Sequence, residues 1–249
     1  MNSFFIINIS CLLVGYVVLQ QIPSYVPLCK RKEPDLSKCI TNSINTLGPY
    51  LVKGIPEMNL PPGDPLHFFN ATIRSGGNSA VALEAESWNH TAFDLMDFNI
   101  KDFSLNLENI NLATTIQFPS ARIKGHYHLK AKILLFDINT NGFYEINATN
   151  VIANVHSDGR RYMKNSKEHI ELENFVLDIQ IETAKINFSN LINGNEELTE
   201  VANNAINENI NVVYEELRSI AGQVLGDIVV LYFNSVFRLF PMKELFPDD

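Results

Sequence analysis

Cysteine is nearly absent: the 249 residues contain three, Cys11, Cys29 and Cys39. That excludes a disulfide-dense scaffold, and equally a thiolate zinc centre, which needs about four ligands at close spacing. Basic residues are scarce relative to acidic ones, 19 Lys and Arg against 28 Asp and Glu, for a formal net charge of -9. The one dense basic run is Lys30 to Lys32. Nucleic-acid binding draws on concentrated Lys and Arg, so no nucleic-acid partner is expected. Catalytic signatures are missing too: there is no Gly-x-Ser-x-Gly elbow, no glycine-rich phosphate cradle and no His-Glu-x-x-His. His126 and His128 stand two apart and share a strand face, which can begin a metal site, but no third ligand accompanies them. The acidic residues show no spacing that selects a general acid and base. Neither an enzyme, a metal site nor a cofactor is expected.

What the chain does have begins at its N-terminus. From Phe4 to Leu19 it is apolar apart from Asn8 and Ser10, and Pro23 ends any helix. The run is shorter than the roughly 20 residues that span a bilayer, which predicts a signal peptide over 1–24, cleaved near Ser24 with Gln20 as the alternative, and a single secreted domain over 25–249. A retained anchor is the rival reading. Removal of the signal takes Cys11 with it and leaves an even pair. In an oxidising compartment Cys29 and Cys39 are expected to form a disulfide, contributing about 2 to 3 kcal/mol by restricting the unfolded chain. Four sequons lie downstream, at Asn70, Asn89, Asn147 and Asn187, and each is a candidate glycosylation site where it faces solvent.

Hydrophobic periodicity divides the rest. Leu36, Ile40, Ile44 and Leu47 predict a short amphipathic helix ended by Gly48-Pro49. Prolines at 56, 61, 62 and 65 then predict an extended connector. Alternation follows: Phe103, Leu105 and Leu107, then Ile110, Leu112, Ile116 and Phe118 after a turn at Glu108-Asn109, then Tyr127 to Leu135 with Asn139–Gly142 as its turn. Tyr144, Ile146 and Ala148 begin a return strand, and a further strand, Phe175 to Ile181, follows Asp158-Gly159. These hairpins predict a large antiparallel sheet. From Asn195, a predicted N-cap, the period returns to that of a helix, and Glu196 to Leu239 would reach about 66 Å as one helix. Past Leu225 that helix is apolar on most of its circumference, so it must be surrounded by protein or lipid. Gly222 and Gly226, one turn apart, mark either a bend or close packing.

The cysteine pair with its short helix, IPEMNLPPGDPL, FPSARIKGHYHLKAKILL, NFSNLINGNEEL leading into AINEN, and the ending FNSVFRLFPMKELFP occur in this order. Together they resemble the insect haemolymph juvenile-hormone-binding and takeout-like family of secreted proteins, over nearly all of the chain after residue 24. The sequence departs from the family pattern in having Ile210 where a tryptophan is common, and in lacking a second disulfide. The resemblance implies an α+β fold: a long C-terminal helix wrapped by a strongly curved antiparallel sheet, a super-roll with an elongated apolar cavity. It also implies transport of a small hydrophobic ligand, a juvenile-hormone-like isoprenoid, a fatty acid or a related lipid. Burying some 15 carbons at about 0.8 kcal/mol per CH₂ would yield roughly 10 kcal/mol gross. Size and face nominate Phe93, Leu95, Phe98, Phe103, Ile133, Leu135, Phe143, Phe233 and Phe237 as ligand-contacting residues, each equally able to be ordinary core; a buried Tyr127 hydroxyl would need a ligand oxygen or a protein partner. The expected state is a monomer without stable membrane insertion. A second hypothesis keeps the lipid as a permanent constituent and places function in contact with a cell-surface receptor, in feeding, chemosensation or biological rhythms, as for some relatives.

Overall fold

The computed structural model describes residues 21–75, 81–133 and 136–248. Residues 1–20 of the expected signal segment, with Cys11, and Leu135 lie outside that range, as does the side chain of Ile133. Helix α1 (Leu36–Lys53) starts at Asp35, whose carboxylate accepts the Lys38 N–H at 3.0 Å, and a disulfide joins Cys29 to Cys39 in its first turns. The helix runs through Pro49 instead of stopping there. Proline removes one intrahelical bond, and the last turn is tied from outside: the Gly63 N–H donates to the Leu51 carbonyl at 2.9 Å, and Gly54, at φ +82°, closes the end.

A single sheet of seven antiparallel strands follows: β1 (Leu66–Phe68), β2 (Ala71–Ser75), β3 (Val81–Phe93), β4 (Asn99–Asn106), β5 (Asn111–Ile133), β6 (Phe136–Lys164) and β7 (Lys167–Phe188). The main path is β1-β3-β5-β6-β7, with β2 on β3 and β4 on β5. The reversal at Glu108-Asn109 is present, and the Asn106 side chain accepts both of their N–H groups. The other reversals are not where glycine suggested. Gly142 and Gly159 lie inside β6, paired with Tyr127 and Leu172. Each admits a close backbone approach: a Cβ at Gly142 would collide with the Ser189 carbonyl, and one at Gly159 would sit 2.5 Å from the Glu171 carbonyl. The chain instead reverses between Ile133 and Phe136, which pair, and at Asn165-Ser166, both with positive φ, as a two-residue hairpin demands.

Strand β5 changes its inward parity midway. Leu112 and Phe118 face the core, and so do Ala121, Tyr127 and Leu129. Pro119 and Asn150, the latter at φ +47°, are left out of the pairing between β5 and β6 at the switch. An irregular step there turns the second half of the strand over by one side chain.

The C-terminal helix is divided at Asn209 into α2 (Glu196–Glu208) and α3 (Ile210–Leu239), and α4 (Met242–Leu245) closes the chain. Asn195 caps α2, accepting the Leu198 N–H at 2.9 Å. The helices cover the outer edge of β7 through asparagines. The Asn203, Asn207 and Asn234 side chains each accept the N–H and donate to the carbonyl of one β7 residue, Phe188, Ile186 and Leu172 respectively, at 2.8 to 3.0 Å. An edge strand is otherwise a row of unpaired donors and acceptors; here side-chain amides stand in for an eighth strand. Tyr214 adds a hydrogen bond to the Ile179 carbonyl and Arg218 a bidentate pair with Asp178, both bonds at 2.8 Å. Gly222 is the point of closest approach, where any Cβ would collide with the Leu177 carbonyl, so the two glycines mark close packing on β7.

This arrangement corrects the expected fold in one respect. The class is α+β with a long C-terminal helix and an antiparallel sheet, but the sheet is open and does not curl strongly around the helix. β7 ends the sheet and takes its hydrogen bonds from helix side chains, so nothing requires the sheet to close on itself. Accordingly α3 has few buried residues, Val213, Gly222, Gly226, Asn234 and Val236, while Leu231 and Phe233 remain more than 40% exposed. The helix rests on protein on one side; an elongated apolar cavity is not formed around it among the described residues.

Candidate functional site

The space between helix and sheet is packed unevenly. At one end Tyr127, Leu129, Ile138, Leu191, Ile206 and Val213 form a buried cluster. At the other, Leu107, Ile110, Leu112, Ile170, Leu172 and Met242 form a second, adjoined by Ile55, Met58, Val236, Phe240 and Leu245. The middle holds a smaller cluster, Ala148, Val151 and Ile179, all small or β-branched, with Phe118, Ala121, Leu177, Ile181 and Leu225 half-covered around them. A half-covered apolar strip therefore lies between two filled ends, along the stretch of α3 that is apolar on most faces. By length and composition α3 is also apolar enough to cross a membrane, a property that core helices of soluble proteins share.

The residues nominated from sequence are not gathered on one surface. Phe98 reaches the strip, its ring 6.2 Å from that of Phe118. Phe103 and Phe237 belong to the packed end. Phe233 lies beside Phe237, ring centroids 6.1 Å apart, and is 43% exposed. Phe93 is covered by the Arg122 guanidinium at 4.4 Å, and Leu95 is half-buried in the loop after β3. Phe143 is on the outer face, 60% exposed, against His126. Sequence reasoning passed over Leu177, Ile181 and Leu225 as ligand contacts; alternation in β7 and the apolar face of α3 were the available signals.

Polar groups interrupt the apolar interior near the Tyr127 end. The Tyr127 hydroxyl donates to the Ser189 carbonyl at 2.8 Å, a protein partner, and burial pushes its pKa up to about 12. His90 is 2% exposed, its ring stacked on Phe68 at 4.6 Å and its Nδ1 2.7 Å from the Tyr144 hydroxyl. Burial lowers the His90 pKa, against a smaller raising contribution from the Ser87 backbone, and burial raises that of Tyr144. Gly125 makes room for the pair: a Cβ there would lie 2.9 Å from His90 Nδ1 and 3.0 Å from the Tyr144 oxygen.

Elsewhere, a surface cleft of about 800 Å³ lies between α2 and the β6–β7 strands, lined by polar groups including Asn147, Lys185, Asn187, Glu196, Glu200 and Asn204. Its hydrogen-bonding lining is unsuited to an apolar molecule. All four sequon asparagines are exposed. Among the described residues no group of three or more His, Cys, Asp or Glu is placed to hold a metal. His126 and His128 occupy the face opposite Tyr127 and Leu129, and His126 stacks with Trp88.

No curated protein sequence matches the chain. Among solved structures it is similar to Takeout 1 of Epiphyas postvittana, with 19% identity and a TM-score of 0.74 over 89% of this chain and 100% of that one. A lipopolysaccharide binding protein aligns with 15% identity and a TM-score of 0.36, over 81% of this chain and 38% of that one, too low to bear on the fold. The profile of haemolymph juvenile hormone binding protein matches residues 7–247. The chain therefore belongs to the haemolymph juvenile hormone binding protein family, a family of secreted, non-enzymatic ligand carriers.

Proposed function

We propose that this protein carries a small hydrophobic ligand of the isoprenoid or fatty class, held on the half-covered strip between α3 and the middle of the sheet. The observation that supports this most directly is the contrast between two filled ends and an apolar middle whose buried cluster is small and rimmed by half-covered apolar side chains. An apolar strip left partly uncovered has a driving force of about 25 cal/mol per Å² to be covered. On this reading Phe118, Ile181 and Leu225 contact the ligand with Phe98, residues 1–24 are removed on secretion, and glycans sit on exposed Asn70, Asn89, Asn147 and Asn187. The test is native mass spectrometry of protein purified gently from an insect secretion system, with lipid identification after extraction and displacement of a fluorescent apolar probe. A bound apolar species displaced by isoprenoids or fatty acids supports a carrier. An empty protein that refuses the probe refutes it.

One observation favours a second reading, a protein that acts through surface contact. Trp88, His126 and Phe143 sit directly opposite one another on β3, β5 and β6, forming a cross-strand aromatic ladder on the outer face with Phe143 largely exposed. Such ladders suit recognition of a cell-surface receptor. Slow or absent ligand exchange, together with loss of cell binding in Phe143→Ser, would favour this reading over exchangeable transport.

A further inference from the structure

Phe143 is the most exposed aromatic residue among the described residues, 60% open on the outer face of β6, where its ring meets that of His126 at a tilt, 4.2 Å away. Exposure alone identifies no occupant, since single apolar side chains on a surface are ordinary. What lies beside this one is a sequon. Asn187-Phe188-Ser189 is fastened to Phe143 through its third residue: the Ser189 N–H donates to the Phe143 carbonyl at 2.9 Å, and the Phe143 N–H donates to the Ser189 hydroxyl at 2.8 Å.

The register places the asparagine on the same face as the ring. Glu145 pairs with Asn187 across β6 and β7, and opposed residues, like residues two apart in a strand, point the same way. Phe143, Glu145 and Asn187 therefore share the outer face, with Asn187 diagonal to Phe143 at about 7 to 8 Å. Asn187 is exposed, and with Glu145 and Ser189 it lines the outer cleft of about 800 Å³, so a group attached to its Nδ2 opens into free volume. The other sequons are less well placed. Asn147 stands four residues from Phe143 along β6, about 13 Å, and Asn70 and Asn89 lie at β3, two strands away from β6.

We propose that the first N-acetylglucosamine on Asn187 stacks its apolar face on the Phe143 ring, so that the chain's own glycan covers this part of the sheet. This rests on the glycan placed at Asn187 above; it is independent of the carrier function, and it accounts for Phe143 without a receptor. A pyranose keeps its hydroxyls at the rim and presents C–H bonds on its face, and those weakly positive hydrogens complement the negative face of an aromatic ring. Covalent attachment at a fixed distance makes the contact intramolecular, so a weak stack forms at high effective concentration. The hydroxyls and acetamide at the sugar's rim are left to the hydrogen-bonding lining of the cleft.

The test is a double-mutant cycle of Phe143→Ser and Asn187→Gln, read by thermal unfolding of protein secreted from insect cells, with site occupancy measured by glycopeptide mass spectrometry. Phe143→Ser is expected to lower Tm by about 2 to 4 °C more in the glycosylated protein than in the Asn187→Gln background, the size of one aromatic pair in a chain of this length. Asn147→Gln, which removes the neighbouring glycan, should leave the effect of Phe143→Ser unchanged; a change as large as that from Asn187→Gln overturns the assignment to Asn187. Equal losses in the two backgrounds, with Asn187 occupied, overturn the stack and return Phe143 to the receptor reading. A bare Asn187 overturns the glycan at this site, and the stack with it. Should Phe143→Ser not be secreted, proton NMR of the wild-type glycan decides: displacement of the first sugar's resonances to higher field by the ring current supports the stack, and undisplaced resonances refute it.

Discussion

Replacing Asn234 by leucine isolates the amide pairing that attaches the helix to the sheet edge. Asn234 is 5% exposed, and its side chain bonds the Leu172 N–H at 2.8 Å and the Leu172 carbonyl at 3.0 Å, both buried. Leucine has the same branched skeleton of four side-chain heavy atoms and is the bulkier of the two, so no cavity forms, but the two backbone groups lose their partners. An unsatisfied buried group costs about 1 to 3 kcal/mol, and burying the leucine side chain returns part of that. The net expectation is about 2 to 4 kcal/mol, a large share of a typical folding free energy of about 5 to 15 kcal/mol. For a chain of this size that is a fall in Tm of roughly 5 to 15 °C. Thermal and urea unfolding of the secreted protein with its disulfide intact would measure it, with Asn204→Ala as the control, since Asn204 is exposed on the same helical layer. Hydrogen exchange at the Leu172 amide should accelerate in parallel. An Asn234→Leu protein as stable as wild type, with Leu172 still protected, would refute the idea that asparagine amides replace a strand.

Other expectations follow from the same geometry. Gly222→Ala should destabilise by about 2 kcal/mol or more despite the roughly 1 kcal/mol helix-propensity gain, because the new methyl collides with the Leu177 carbonyl; Gly226→Ala, meeting only the Phe175 ring edge at 3.3 Å, should lie near neutral in the same melting assay. Cys29→Ala with Cys39→Ala should cost about 2 to 3 kcal/mol in urea unfolding; no change would mean the loop is held by other contacts. Arg238 and Arg160 hold the Glu171 carboxyl below its usual pKa, and Arg218 does the same for Asp178. Carboxylates more acidic in the folded than in the unfolded chain contribute stability above the unfolded pKa and lose it as pH falls through the folded one. Stability should therefore decline on acidification below about pH 4.5, and Arg218→Ala should flatten that decline, as read from Tm against pH.

Much of this architecture is written in local pattern. The cap at Asn195, the turn after Asn106 and the switch from period two to period 3.6 rest on short-range chemistry that a sequence displays directly. Gly142 and Gly159 misled because glycine serves two ends: it permits a turn, and it permits another backbone to come close. Only the distant partner, Ser189 or Glu171, distinguishes them. Asn165-Ser166 carried a true hairpin signal that the neighbouring Asp158-Gly159 overshadowed. The nominated aromatics scattered because size and hydrophobicity do not encode which side of a long strand faces inward once the parity changes midway. His90 could not be singled out from six histidines, since its stack on Phe68 and its bond with Tyr144 join it to other strands.

The parity change at Pro119 and Asn150 also limits how this chain can diverge. Loss or gain of a single residue in β5 beyond that step would present Lys124, His126 and His128 to the interior in place of Gly125, Tyr127 and Leu129. Compensation would require a matching change in β6, and then in β7, before the core could re-form. Relatives sharing this step should differ freely in residue identity on the outer face, yet keep the number of residues between Phe118 and Tyr127 constant, with insertions confined to the hairpin ends.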